Sequence, residues 1–451
     1  MKKMSVSNPS GESPLFKLSQ NGSGRATGYS EFSKIVTLGR KTHVTWQDSE
    51  EGQFLTKIRT LDRDTGTWSA AYTVGPGYDN HGGPSLTADS KGHLHMIYYP
   101  HHHPFRYRRS ARPNDVSEWT EEIQFGERCT YPSVVCTPDD DLILTCRERT
   151  DTQWVLNLYH KPPDGEWQRP RTLVRGNAPG GYARWQGALV LGPDGHTVHM
   201  SFMVYDQVVA ESETPTGGDA KGSGYAVGYL RSRDGGKTWE RSDGTPVRLP
   251  AISETIDLID GVRSPTSSLN FRPGNIAVDA QGVPWTIYSR QDRQPFETFL
   301  THPDSKGGWE RIPLLPVIQQ KWPERSVKTP GSLTFGQDGT LYATVTTVLV
   351  DKKVEEGSWG HVSAEVALLV SKDRGRTFHV FGVSRPDDAC ASWLPNLERV
   401  TGPHALDVPS LVYTYGTKGE NNRQILQNEV VWCDVAALLQ EDASQARRTP
   451  P

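Results

Sequence analysis

The chain has 451 residues, with 49 Lys and Arg against 53 Asp and Glu, a formal charge of −4, and 35% hydrophobic residues. That balance provides no positive field for nucleic acid, and no apolar run approaches the roughly 20 residues of a membrane helix. The five cysteines (Cys129, Cys136, Cys146, Cys390 and Cys433) form no CxxC pair, and their odd number excludes a complete disulfide framework and fits a reducing compartment.

In chain order, the opening "MKKMSVSNPSGESPLFKLSQ" is basic at its start but has no apolar core of signal-peptide length. The chain as written is therefore expected in the cytoplasm, or in the periplasm or outside the cell if a leader has been removed. Residues 1–25 read as a partly disordered N-terminal segment whose strand closes the array that follows. From there one unit recurs: an apolar strand, a turn built on Asp-Gly or a relative, a second strand rich in β-branched and aromatic residues, and a polar strand ending near an aromatic. The second strands are "KTHVTWQD", "GHLHMIYYP", "DLILTCRE", "HTVHMSFMV", "VPWTIYSR", "TLYATVTTV" and "PSLVYTYG". The turns before them include "DSKG", "PDDD", "GPDG", "DAQG" and "GQDG", and the late aromatics are Trp68, Trp119, Trp167, Trp239, Trp309 and Phe378. Alternation as in Leu94-His95-Met96-Ile97-Tyr98 puts neighbours on opposite faces of a sheet. Long polar insertions interrupt the fourth unit ("VVAESETPTGGDAKGSG") and the sixth ("LVDKKVEEGSWGHVS") and read as loops. The end, "QEDASQARRTPP", reads as a disordered tail over 441–451.

Two units end in a sharper pattern, "RSRDGGKTW" at 231–239 and "SKDRGRTFHV" at 371–380. Both resemble the Asp-box, Ser-x-Asp-x-Gly-x-Thr-Trp, with Phe378 in the place of Trp in the second. This is a hairpin-turn device: Asp accepts from backbone N–H groups, Gly takes positive φ, and the aromatic anchors the turn. It specifies a fold and no reaction. The expected architecture is all-β, a seven-bladed β-propeller forming a single domain over 26–440, with six blades as the rival count because the seventh unit is weak.

The stretch 77–110 holds six of the fourteen histidines. In a propeller, segments entering first strands and leaving second strands share one face of the disc. His81 in "YDNHGGP" and His101 in "YYPHHHPFRYRRS" flank one such hairpin, and Tyr131 and Arg147 flank the next. Tyr182 and Arg184 in "GGYARWQG" follow on the fourth unit. One face would then collect imidazoles, phenols and a permanent cation. An arginine pairs with a carboxylate and cannot lose its proton, while histidine and tyrosine move protons. Neutralising a sugar carboxylate acidifies the adjacent C–H, so that β-elimination becomes accessible, and a guanidinium beside a tyrosine favours its phenolate.

These residues resemble a family. The order "DNH…P", "YYPHHHPFRYR", "TYP…CR", "YAR" is similar to the BNR-type propeller polysaccharide lyases, including ulvan lyases and L-rhamnosyl-α-1,4-D-glucuronate lyases. The resemblance covers units two to four and implies a uronate-containing oligo- or polysaccharide as substrate, with neither a membrane nor nucleic acid as partner. It implies a lyase centre of His81, His101, Tyr131 and Arg147, with substrate contacts from Tyr182, Arg184, Asn80 and His102. Relatives often carry His-Asn where this chain has His101-His102, so the choice within the His101–His103 triplet stays open. No organic cofactor is implied; a structural calcium or zinc ion is compatible, although the histidine spacing matches no zinc motif.

Two other functions compete. Related propellers include α-L-rhamnosidases whose site uses one histidine of the first blade on the opposite face; His43 in "GRKTHVTWQD" occupies that position and would mean hydrolysis. A non-catalytic carbohydrate-binding propeller would also explain the aromatics, though not converging His, Tyr and Arg. The Asp-boxes also occur in sialidases, but the Arg-Ile-Pro of "ERIPLLP" falls at 310–316, too late for their opening motif. No carboxylate pair suits a two-acid hydrolysis. The oligomeric state is not legible.

Overall fold

The computed structural model describes residues 13–176, 185–207, 222–266, 268–351, 353–354, 359–384, 386–387 and 389–448. Each stretch read above as a second strand is a strand: Lys41–Glu50, Leu94–Tyr98, Leu142–Arg149, Val198–Gln207, Pro284–Arg290, Leu341–Leu349 and Ser410–Gly416. These strands lie mid-sheet and are packed on both faces; Leu94–Tyr98 is buried along its whole length. That double burial is why they read as near-continuous runs of β-branched and aromatic residues. Outer strands such as Gln53–Asp62 bury Phe54, Thr56 and Ile58 and expose the alternate positions more, the period-two pattern of a half-covered sheet.

The sheets are antiparallel meanders, as in the order Phe271–Val278, Pro284–Arg290, Glu297–Pro303, Trp309–Pro313, and again Arg325–Phe335, Leu341–Leu349, Glu365–Ser371, His379–Gly382. The first strands pack against one another in sequence: Ile35–Leu38 on Ser85–Ala88, then Ile123–Cys136, Gln186–Leu191, Phe271–Val278, Arg325–Phe335 and Ala391–Leu397. The last of these returns to the start, because Asn396 Nδ2 donates to the carbonyls of Tyr29 and Phe32 at 2.9 and 3.1 Å. First strands therefore form an inner ring and the meanders radiate from it, as in a β-propeller. Neighbouring meanders are joined by apolar packing. Trp285 and Ile287 of one sheet, for example, meet Leu333, Leu341 and Val345 of the next, and each such buried aliphatic side chain contributes about 1.5–3 kcal/mol.

Both ends of the chain depart from the sequence expectation. Strand Leu15–Gly22 pairs with Asn428–Asp434 on one side and meets Lys41–Glu50 on the other through Gly22 and Asp48. It closes the ring as expected, so the ordered array begins well before residue 26. At the other end, the residues read as a tail from 441 continue a helix, Val435–Arg448. Asp434 Oδ1 accepts from Ala437 N–H at 3.2 Å, the alanine-rich run has high helix propensity, and Leu438 and Leu439 pack on the last sheet.

Both Asp-box turns form the expected network. Ser232 Oγ donates to Asp234 Oδ1 and accepts from Gly236 N–H, while Asp234 accepts from Thr238 N–H and Oγ1–H, all at 2.6–2.8 Å. Ser371, Asp373, Gly375 and Thr377 repeat this atom for atom.

Candidate active site

A cavity of about 940 Å³ opens at one end of the ring and is lined by Arg25, Tyr29, Glu31, His81, His101 and Tyr131 on one side, and by Asn270, Arg272, Arg293 and Lys328 on the other. Much of its wall comes from residues at the entrances of inner strands, where the same local feature recurs. Tyr131-Pro132, Arg272-Pro273, Thr329-Pro330 and Leu394-Pro395 each fall at a break in strand register. A bulge leaves residues unpaired and re-aims a side chain, and the proline removes a ladder donor there. In strand Ile123–Cys136 the break separates an exposed half, which edges one meander, from a buried half, which begins the next. Tyr131 sits at that break with φ +61°.

His81 and His101 face each other as expected for the two ends of one hairpin. Their rings stack at 4.1 Å with 23° between planes. One carboxylate orients both: Asp79 Oδ2 is 2.7 Å from His101 Nδ1, and Asp79 Oδ1 is 3.4 Å from His81 Nδ1. Burial pushes the Asp79 carboxyl upward, but hydrogen bonds from His101 and His81 more than offset this and hold it well below the usual carboxylate range. Asp79 Oδ1 also accepts from the His81 backbone N–H at 2.8 Å. The turn closes tightly because Gly82 and Gly83 have no Cβ: one at Gly83 would lie 2.4 Å from the Gly28 carbonyl oxygen. With Nδ1 of each ring turned to Asp79, Nε2 is the atom left for proton transfer. Burial, and then the charge of Arg25, push the His81 imidazole down to about 3, so it is neutral at physiological pH.

The histidine triplet separates into three environments. His101 is on the cavity. His102, at φ +63°, turns away to Arg147, whose Nη2 lies 2.7 Å from its Nε2, and to the Trp154 ring at 4.7 Å. Burial and the Arg147 charge push it down to about 3. His103 packs against Tyr78 with ring centres 4.2 Å apart.

Tyr131 is on the cavity wall, its ring centre 6.5 Å from that of His81 and 5.4 Å from Tyr29 in an edge-on contact. Arg147 is not on the wall. It is fully buried behind Tyr131, with its guanidinium carbon 4.8 Å from the Tyr131 ring centre and 4.6 Å from that of Trp154. The sequence reading made it the carboxylate clamp, yet its place beneath the phenol makes it a support for Tyr131 and His102. Asn80 is buried and its N–H donates to the Asn422 carbonyl at 3.0 Å, holding the His81 turn from below. Tyr182 and Arg184 lie outside the described residues.

His43 is corrected more sharply. It is fully buried inside Lys41–Glu50, with Nδ1 2.8 Å from Thr60 Oγ1 and Nε2 2.6 Å from Asn114 Oδ1, and burial pushes it down to about 4. Both ring nitrogens are engaged structurally, and the ring does not line the cavity described above.

The sequence reading overlooked Arg25, Asp79, Glu31, Arg272 and Lys328. Asp79 stands within the "YDNHGGP" motif, two positions before His81, and the x-Pro at the head of inner strands was the available signal for Arg272 and for Lys328, which precedes Thr329-Pro330 in its strand. Glu31, on the cavity floor, is pushed up to about 8 by burial. Among the described residues two groups have ligand atoms placed closely enough to share a cation: Asp79, His81 and His101, and, beneath the surface, Cys129, Cys146 and Glu148. Glu148 already accepts from Asn157, Tyr159 and the Glu127 N–H at 2.6–3.1 Å. Among the described residues no helix is long and apolar enough to cross a membrane.

The family model for "BNR repeat-containing family member" matches residues 33–315. The chain belongs to this BNR repeat family. Two curated relatives are an "Ulvan Lyase-PL25" of Pseudoalteromonas sp. (strain PLSV), 24% identical, and an "Ulvan lyase" of Alteromonas sp. (strain LOR), 25% identical, each over 149 residues. Each match takes in 27% of this chain, and it spans only 29% and 30% of those relatives' own length. Among solved structures, a PL25 ulvan lyase bound to -[GlcA(1-4)Rha3S]- superposes with a TM-score of 0.68 at 16% identity, covering 92% of this chain and 94% of that one. The polysaccharide lyase Uly1 follows with a TM-score of 0.55 at 13% identity, over 92% and 96%. At such identities the likeness is one of fold, and it covers most of the BNR family member described here.

Proposed function

We propose that this protein is a polysaccharide lyase that cleaves a uronic-acid-containing glycan, of rhamnosyl-glucuronate or ulvan type, by β-elimination on a seven-bladed propeller. Among the described residues, seven inner strands in the packing order given above support that blade count, with the N-terminal strand completing the last meander. The observation that carries the chemistry is the stacked His81–His101 pair on one carboxylate, facing Tyr131 across the wall of a cavity large enough for several sugar rings.

His81 Nε2, neutral at physiological pH, takes the proton from the carbon bearing the carboxylate. The freed electron pair becomes a C=C bond as the β C–O bond breaks, and the Tyr131 hydroxyl protonates the departing glycosidic oxygen. The products are an unsaturated uronate and a new reducing end. A proton passed from His81 back to the phenolate resets the site without any change of oxidation state. His101, sharing Asp79 with His81, keeps that imidazole in one orientation. This chemistry asks for no organic cofactor, and a structural calcium or zinc ion would be additional to it. The ulvan lyase relatives and the oligosaccharide-bound neighbour favour the same substrate class.

The test is to incubate the protein with uronate glycans and follow the ultraviolet absorbance of the conjugated unsaturated uronate. Rising absorbance is expected, and His81→Ala and Tyr131→Phe should each lower turnover by at least about 100-fold. Release of free rhamnose without absorbance would replace the lyase with a hydrolase. Binding without product would leave a carbohydrate-binding propeller.

A further inference from the structure

We infer that Arg25, contributed by the ring-closing N-terminal segment, is the residue that receives the substrate carboxylate, and that its Nη1, which meets His81 Nε2, gives up that lone pair when the carboxylate binds. The inference rests on the lyase reading of the cavity and names the cation which that reading requires.

The backbone places Arg25 firmly. It lies in a turn after strand Leu15–Gly22, where Ala26 N–H donates to the Ser23 carbonyl and Gly28 N–H to that of Arg25 at 3.2 and 3.0 Å. Gln47 N–H binds the Ala26 carbonyl at 3.0 Å, and Thr27 Oγ1 donates to the Leu394 carbonyl at 2.8 Å, so the turn is tied to both the first and last sheets. The side chain enters the cavity between the rings of Tyr29 and Trp359, each with its centre 5.7 Å from the guanidinium carbon. Aromatic faces hold a planar cation in one orientation without neutralising it. Nη1 reaches His81 Nε2.

Two other arginines are placed less favourably for a carboxylate than Arg25. Arg147, the cation expected from sequence, is buried behind Tyr131. Arg293, on the opposite wall, pairs with Glu297. Among the described residues no carboxylate lies within ion-pair reach of Arg25, and its Nε is buried with no acceptor. A half-buried guanidinium with an unfilled donor, touching the base, is what a carboxylate would complete in bidentate fashion.

Substrate entry then performs two tasks. The carboxylate takes the Arg25 N–H donors, which acidifies the neighbouring C–H. At the same time Nη1 leaves His81 Nε2, so the lone pair appears beside the proton it must remove. Partial neutralisation of Arg25 also lifts the repulsion that disfavours protonated His81. A neutral sugar would do neither, so selection for a uronate is built into activation of the base.

The experiment uses the full chain with Arg25→Ala and Arg25→Lys, checked for folding by thermal melt. A saturated glucuronate glycoside and its carboxyl-reduced, neutral counterpart are titrated against each protein calorimetrically, and turnover is measured on the uronate glycan. Wild type should prefer the glucuronate. Arg25→Ala should lose that preference and at least about 100-fold of kcat/KM, with Arg25→Lys intermediate because it keeps the charge and loses the fork. The His81 ring, followed by NMR titration, should gain protons at higher pH in Arg25→Ala. A folded Arg25→Ala that keeps the glucuronate preference overturns the inference, as does full turnover in that variant. If wild type prefers glucuronate through Arg25 yet releases no unsaturated product, the lyase reading fails while the carboxylate site stands.

Discussion

At Asp79 a single carboxylate orients two imidazoles, and the site's acid–base geometry depends on that sharing. Asparagine there can accept from one ring but presents an N–H to the other. Asp79→Asn should therefore turn one imidazole to the wrong tautomer and lower kcat by about 10- to 100-fold. The substrate-binding term KM should change little, and the acid limb of the pH–rate profile should move, which a loss of folding alone would not produce. The residues also show what a sequence can and cannot reveal. His81, His101 and Tyr131 were legible because each stands at a fixed place in a repeat and carries acid–base chemistry. Arg147 was legible as a cation near Tyr131 but misread as a clamp, since burial is invisible in sequence. His43 shows the converse: a histidine at a suggestive position whose two nitrogens are consumed by Thr60 and Asn114.

Among the elements, the inner strand Ile123–Cys136 does most to present the site. It edges one meander, breaks register at Tyr131-Pro132, and begins the next meander, so a tyrosine in a strand ends up facing a cavity. The Asp-box hairpins do the opposite: they hold shape far from the chemistry. Ser232, fully buried, bridges Asp234 and the Gly236 N–H. Ser232→Ala removes both bonds and should cost about 1–2 kcal/mol of stability, read as a lower urea midpoint, with turnover unchanged at temperatures where the protein stays folded. The turn was legible in full because its residues lie within eight positions and the bonds that shape it run among Ser232, Asp234, Gly236 and Thr238. The end helix Val435–Arg448 was not, since a polar, alanine-rich tail becomes a helix only when Asp434 caps it and its leucines find a sheet to pack on.

For the whole molecule, the buried ionisable groups determine how stability follows pH. Burial lowers His43, His199 and His404 to about 4 and His81 and His102 to about 3. Below about 6.5 the unfolded chain takes up protons at these sites and the folded one does not, so stability falls as pH drops from there toward 4. Glu31 and Asp48 act in the opposite sense: burial raises them to about 8 and about 6, so what they contribute below their ordinary range is lost as pH rises through those values. Five sites outnumber two in the acid range, while Glu31 alone among these seven acts from about 6.5 to 8. Thermal stability should therefore fall on the acid side, from about pH 6.5 toward 4; a melting temperature flat from pH 7 to 4.5 would contradict this.

Strand periodicity, turn chemistry and the repeat are set by neighbours within about ten positions, so the sequence by itself determined the all-β architecture, the place of every second strand and the face on which His81, His101 and Tyr131 stand. Ring closure is a long-range event. It brings Arg25 against His81 across 56 positions and Thr27 against Leu394 across 367. Only the tertiary structure could decide which cations face the cavity, which histidine of three is turned inward, and that His43 and Arg147 are buried, because each depends on side-chain packing between blades far apart in the chain.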